Sequence, residues 1–231
     1  GYEVPEFSRQ SKGLPIINLL PLEKDENISS IVELDANDDI TKYLMFATRE
    51  GIVKRTEIGE FDNIRKGGKI AIVLKENDEL ISVRKTCGKN EIAIGASNGR
   101  MVRFDENEIR SMGRSSSGVK GIDLDGATVV GAEVVNPGQY VLIVTEKGYG
   151  KKTSIKEFTV QGRGGKGLVI YKPSSIYGQI AGATVVSDKD TILLTGQPNS
   201  ICIAATDLPL LTRTSFGNIM VKSNISSIVK F

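Results

Sequence analysis

The run Gln161-Gly-Arg-Gly-Gly-Lys-Gly167 is the sharpest chemical feature of the chain. Four glycines interleaved with Arg163 and Lys166 make a turn where backbone N–H groups and two cations can approach a phosphate closely. No Lys-Ser/Thr pair closes it, so it is not a Walker loop. A tight surface turn with solvated charges would use the same residues, and recurrence is what favours a site. Arg65-Lys-Gly-Gly-Lys69 has three cations and Arg9-Gln-Ser-Lys-Gly13 has two. Arg114-Ser-Ser-Ser-Gly118 has one cation and three hydroxyls, which also suit phosphate oxygens. A last copy, Arg213-Thr-Ser-Phe-Gly217, replaces the second cation with Phe216.

Other chemistry is excluded early. The 231 residues contain no histidine, which removes Ser-His-Asp triads, Cys-His pairs and His-containing zinc sites. Cys87 and Cys202 lie far apart, as two small hydrophobes in a reducing compartment would. No catalytic group, metal or cofactor is expected. The mix of 25% charged and 39% hydrophobic residues is that of an ordinary folded domain. A net charge of only +2 means that a polyanion partner depends on where the cations sit. No apolar run approaches the roughly 18 residues of a membrane span, so no membrane partner is expected. The chain opens on Gly1 rather than methionine, as a piece of a longer polypeptide would.

The elements that must position these turns repeat with them. Apolar runs at 43–48, 91–95, 140–145 and 191–195 each lead to a turn at Gly51, Gly99, Gly148 or Asn199, spaced by 48, 49 and 51 residues. A second strand follows each turn, at 52–56, 100–104, 149–153 and 200–204, and positive φ is expected at the junction. The arginines recur at intervals of 56, 49, 49 and 50 residues, each preceded by an acidic-apolar pair such as Glu108-Ile109 or Glu157-Phe158. After each turn comes another strand, such as 168–171, and Leu80–Arg84 exemplifies a leading strand. Four short strands in about 49 residues is the arithmetic of a propeller blade. The expectation is therefore one all-β domain over 1–231, a β-propeller or pinwheel of four-stranded blades. Leu14–Leu20 should contribute a strand to the first repeat. The tail 224–229, which echoes Asn27–Val32, should open a blade that has no body, and the two ends could pair to close the arc.

The second hairpin strands add cations: Lys54, Arg55, Arg100, Arg103, Lys151 and Lys152, with Cys202 and Ile203 in the last repeat. Acidic residues collect elsewhere, at Asp35–Asp39 and Glu76–Glu79. If those loops lie on another face, a near-neutral protein could carry a basic stripe.

Over essentially its whole length the chain resembles the C-terminal domain family of the DNA gyrase A subunit, a propeller of the pinwheel type. The matching residues are Tyr2-Glu-Val-Pro-Glu with Ser8-Arg-Gln-Ser-Lys-Gly13, Gly148-Tyr-Gly-Lys-Lys-Thr153 with Glu157-Phe158, and the 161–167 turn. The last is similar to the family's Gln-Arg-Arg-Gly-Gly-Lys/Arg-Gly box, with Gly162 departing at the second position. The family's principal box sits in its first blade, so this copy reads as a later, box-like repeat. The resemblance implies sequence-independent binding and wrapping of duplex DNA on the basic rim, in support of negative supercoiling. It also implies two partners, the rest of the gyrase A subunit and the gyrase B subunit. A bacterial cytoplasmic, nucleoid-associated location and a catalytic tyrosine in another domain are implied with them. The topoisomerase IV counterpart and a protein-interaction propeller are the alternatives. Candidate DNA-binding residues are Arg9, Lys12, Lys54, Arg55, Arg65, Lys66, Lys69, Arg100, Arg103, Arg114, Lys120, Lys151, Lys152, Gln161, Arg163, Gly164, Gly165, Lys166 and Gly167.

Overall fold

The apolar runs at 43–48, 91–95 and 140–145 are buried along nearly their whole length, because both faces of their sheets are covered, whereas the run at 191–195 is buried on alternate residues. Ile143 packs towards one neighbouring sheet with Ala93 and Met101, while Leu142 and Val144 pack towards the other with Ile192 and Leu194. The period-two alternation of a strand thus divides its side chains between two apolar layers. The computed structural model describes residues 6–8, 10–18, 20, 22–23, 26–34, 42–62 and 68–231. Arg9, Arg65, Lys66 and Asp35–Asp39 lie outside the described residues.

The strands are β1 (Tyr43–Thr48), β2 (Ile52–Glu57), β3 (Leu80–Thr86), β4 (Glu91–Ala96), β5 (Arg100–Asp105), β6 (Val119–Lys120), β7 (Val129–Val135) and β8 (Tyr140–Thr145). There follow β9 (Tyr149–Ser154), β10 (Leu168–Val169), β11 (Ile180–Val186), β12 (Thr191–Gln197), β13 (Ile201–Ala204), β14 (Asn218–Ile219) and β15 (Asn224–Lys230). They form four sheets, ordered β3-β1-β2-β6, β10-β5-β4-β7, β11-β8-β9-β14 and β13-β12-β15. The architecture is the expected all-β four-blade propeller. The strands β3, β7, β11 and β15 contribute most of the lining of a central channel of about 1300 Å³, and β6, β10 and β14 form the outer edges.

Strand exchange between repeats corrects the expected blade composition. Leu80–Thr86 does not lead the hairpin that comes after it. It pairs with β1 of the preceding hairpin, Phe46 opposite Val83. The strands after the Arg114, Arg163 and Arg213 turns cross back one blade, so Val119 pairs with Val53 and Leu168 with Met101, while among the described residues no strand follows Gly13 or Lys69. The tail strand β15 accordingly completes the last sheet against β12 rather than opening a new blade. Leu14–Leu20 contains a short 3-10 turn, Ile16–Asn18, and Asn27–Val32 forms no strand among the described residues. Gly51, Gly99 and Gly148 take positive φ (80°, 80° and 77°), whereas Asn199 does not. Gly99 shows why: a Cβ there would stand 2.1 Å from the Tyr171 carbonyl oxygen.

Candidate nucleic-acid interface

Five of the predicted rim cations are not on the rim. Because a second hairpin strand lies inside its sheet, Lys54 and Lys151 are 0% and 1% exposed. The Lys54 amine donates to the carbonyls of Ala71 (2.6 Å) and Arg114, and the Lys151 amine to those of Thr212 (2.8 Å) and Arg213 (2.6 Å). Burial, assisted by the Arg114 guanidinium and opposed by Glu60, pulls the Lys54 amine from 10.5 to about 8. Burial does the same at Lys151, opposed by Glu157 and assisted by Arg213.

The next position is equally internal. Arg55 Nη1 meets the fully buried Glu106 carboxylate at 3.2 Å, with the guanidinium 4.5 Å from the Tyr43 ring centre. Arg103 donates to the carbonyls of Ile155 (2.9 Å) and Phe158 (2.7 Å) and to Glu91 (2.7 Å). Lys152 reaches the Ala205 carbonyl at 2.7 Å and Asp188 at 2.9 Å. These cations join successive blades, and their partners there give them a structural role. A buried charge with such partners is costly to strip of them.

The repeated arginines are also staples. The guanidinium of Arg114 donates to the Ile70 carbonyl (3.0 Å), that of Arg163 to the Lys120 carbonyl (2.8 Å), and that of Arg213 to the Val169 carbonyl. The preceding acidic residue has a matching task that the sequence displayed at fixed register. Glu108 accepts the Arg163 N–H at 2.9 Å and Glu157 accepts the Arg213 N–H at 2.7 Å. The expected phosphate cradle is thereby partly consumed, since the Gly164 N–H bonds the Gly121 carbonyl (2.6 Å) and the Gly165 carbonyl accepts from Asp123 (2.9 Å). Gly167 serves fold too, with φ at +69° and its Cβ site 2.2 Å from the Met101 oxygen.

What remains accessible lies on the outer edges. Lys120 pairs with Asp123 at 3.2 Å and Lys166 with Asp125 at 3.0 Å, and both lysine side chains are more than half exposed. The Lys166 ammonium holds the Asp125 carboxyl below its ordinary range by hydrogen bond and charge, with Arg100 adding to the effect. Arg100 is half-buried, its Nη1 3.3 Å from the Gly167 carbonyl, beside the same turn. Gln161 is half-buried, and its N–H bonds the Arg103 carbonyl at 2.7 Å. Lys12 is exposed, whereas Lys69 donates to the carbonyls of Glu60 and Asp62. Sequence reasoning missed Lys172 and Lys222, exposed five residues beyond Gly167 and Gly217. That common offset was the available signal. It also expected acids to lie elsewhere, yet Asp123 and Asp125 stand at the turn itself.

The arrangement can therefore hold extended polyanions by exchanging exposed carboxylates for phosphates, while among the described residues no group of His, Cys, Asp and Glu could hold a metal. Residues 1–35, 42–87, 90–136 and 139–176 match the model of the DNA gyrase C-terminal domain, beta-propeller. The DNA gyrase A subunit of Staphylococcus epidermidis is 46% identical over 197 residues, which are 84% of this chain and 22% of that protein. The chain thus spans about a fifth of that relative's length. A C-terminal domain of DNA topoisomerase IV superposes with a TM-score of 0.87 at 29% identity, over 94% of this chain and 70% of the other. A DNA gyrase A C-terminal domain gives 0.72 at 25%, over 90% and 76%. With matched segments in all of the first three blades and the strand order of a propeller, the chain belongs to the DNA gyrase C-terminal domain, beta-propeller family.

Proposed function

We propose that this chain binds duplex DNA through its sugar-phosphate backbone along the outer edges of successive blades and bends it around them. In this reading it is an accessory domain of a bacterial gyrase. It works in the cytoplasm with the rest of the A subunit, together with the B subunit, and it favours negative supercoiling by presenting a wrapped segment. The observation that carries the reading, beside family membership, is the set of exposed lysines in and after the closing segments: Lys120 and Lys166, with Lys172 and Lys222 at one common offset from the turn glycine. Backbone contact rather than base reading fits the elements present. The longest helical piece among the described residues is the four-residue Ile58–Phe61, too short to read a major groove. Bending a 20–30 base-pair site costs about 1–6 kcal/mol, which contacts on several blades must offset.

The test is affinity for unrelated duplexes of one length as salt is varied. Equal affinities and a slope near −0.9 per neutralised phosphate are expected. A flat salt response, or strong preference for one sequence, would defeat the proposal. The 0.87 TM-score supports a second reading, a topoisomerase IV-type domain that binds DNA without the full wrap. A DNA-topology assay with a matching core, with and without this domain, separates the two by whether negative supercoils accumulate.

A further inference from the structure

The third blade closes differently from the first two. Its closing segment carries Phe216 where those of the first and second blades carry Ser117 and Lys166, so a ring stands in place of a hydroxyl or an ammonium. The Phe216 ring stacks on that of Tyr177, with centroids 5.0 Å apart and planes 15° from parallel. Two more rings stand nearly perpendicular to this pair, Tyr149 at 4.8 Å from Tyr177 and Tyr171 at 6.4 Å from Phe216. Tyr177 packs on the core between the second and third blades. Phe216 joins no apolar core among the described residues and is 45% exposed.

The backbone under both rings is fixed. Gly217, at φ +88°, lies over Gly150 of β9, where a Cβ would stand 2.8 Å from the carbonyl oxygen, and the Arg213 guanidinium bonds the Val169 carbonyl. Tyr177 sits in a turn closed by the Gly178 N–H on the Ser174 carbonyl (2.8 Å) and by its own N–H on the Ser174 hydroxyl (3.3 Å). Tyr149 shares a groove of about 400 Å³ with Lys147, Ile176, Pro198, Ile219 and Lys222, and no aspartate or glutamate lines this groove. Lys147 and Lys222 are exposed, and the Lys147 amine gives one of its hydrogens to the Ser175 carbonyl.

We infer that this part of the third blade is a binding site for unpaired nucleotides, which lay a base on the Phe216–Tyr177 stack and set the adjoining phosphates on Lys147 and Lys222. A ring that is stacked on one neighbour and nearly half exposed has surface left for another flat ring. Cations in a groove without carboxylates attract phosphate rather than a basic or neutral chain. The two features together are the elements of a stacking platform for single strands, and they tolerate any sequence because every base has a π face. Base faces are hidden inside a duplex, so the ligand is a single strand or a locally unpaired one. This inference goes beyond duplex binding on the blade edges and does not depend on it, since a phosphate backbone alone has no use for the rings.

The probe is a fluorescein-labelled oligothymidylate of about ten nucleotides, a length within the site sizes of single-strand binders. Saturable anisotropy is expected, and an unlabelled copy should quench tyrosine emission, which is readable because the chain has no tryptophan. An abasic oligomer with the same number of phosphates should bind about tenfold more weakly, the scale of one lost base–aromatic stack. Phe216→Leu keeps an apolar side chain and removes the ring, so it should cost the oligothymidylate about the same factor, and Phe216→Trp should restore it. Duplex affinity, measured beside it, should be unchanged in both variants, and so should the melting temperature. The inference is overturned if the oligothymidylate does not bind, if the abasic oligomer binds equally well, or if Phe216→Trp fails to restore what Phe216→Leu loses. An equal loss of duplex affinity in Phe216→Leu would overturn it as well, by assigning the rings to the duplex path. The abasic comparison uses the unaltered chain and decides the matter even if a variant fails to fold.

Discussion

Replacing Lys151 by methionine tests whether the paired second-strand cations belong to the fold. Methionine keeps the length of the buried stem and removes only the amine. The two carbonyls it serves, on Thr212 and Arg213, then lose donors at 2.8 and 2.6 Å. A hydrogen bond from a charged group contributes about 1.5–3 kcal/mol. Two terms reduce the sum. The amine no longer has to be buried, and water can reach an exposed Thr212 and a half-exposed Arg213. The net loss should be roughly 2–3 kcal/mol, which for a domain of this size lowers the melting temperature by roughly 4–12 °C. Calorimetry or circular dichroism at pH 7 reads it, with Lys166→Ala as the contrast, because an exposed ion pair contributes less than about 1 kcal/mol. A Lys151→Met protein that melts with the wild type, or a Lys166→Ala protein that melts well below it, would refute the assignment.

Four further outcomes are expected. Lys120→Ala with Lys166→Ala should weaken binding to all duplexes alike and make the salt slope shallower by about 0.9 for each phosphate no longer neutralised, read by titration at several salt concentrations. Gly167→Ala should destabilise by roughly 3 kcal/mol or more, measured by denaturant unfolding, since its φ is +69° and the new Cβ would strike the Met101 carbonyl. Lys54 and Lys151 titrate near 8 when folded and 10.5 when unfolded, so between those values the unfolded chain holds more protons. Their contribution to stability therefore rises as pH increases from about 8 to 10.5, and wild type should gain on a Lys54→Met, Lys151→Met double variant over that window in pH-dependent unfolding. Asp125→Asn should raise DNA affinity roughly twofold by freeing Lys166, and should do nothing in a Lys166→Ala background, as a double-mutant cycle by fluorescence titration will show.

The repeat and its hairpins were legible because their signals are local: an apolar run, a glycine with positive φ, another apolar run. Blade composition was not, because nothing in Leu80–Thr86 itself distinguishes pairing with β1 from pairing with β4. That choice is made by packing over distances that residue patterns do not encode. The periodic arginine was found and its role misread for a related reason. A recurring cation suggests a recurring ligand, and here the recurring ligand is the neighbouring blade. The clue was present in the acidic residue six positions before Arg114, Arg163 and Arg213, since Glu108 and Glu157 cap the N–H of the arginine one repeat later. Lys54 and Lys151 ran against the rule that lysine is almost never fully buried unless paired. Their neighbours Val53, Thr56, Gly150 and Thr153 are buried too, so the strand itself is interior.

This division of labour among cations constrains where a polyanion can act. The inner strands line the channel, and the second-strand cations of the first three sheets are committed to carbonyls and carboxylates, Arg55 to the buried Glu106. At the outer edge Lys120 and Lys166 stand in solvent, and they hold carboxylates that are themselves exposed, Asp125 at 68%. Such a pair is weak enough for phosphate to replace the carboxylate, whereas the Arg55–Glu106 pair, 7% and 0% exposed, is not. Under the proposed function the arginine staples serve DNA indirectly. They hold each closing segment to the one before it, and on that reading the relation between blades, rather than any single turn, sets the path along which a duplex is bent.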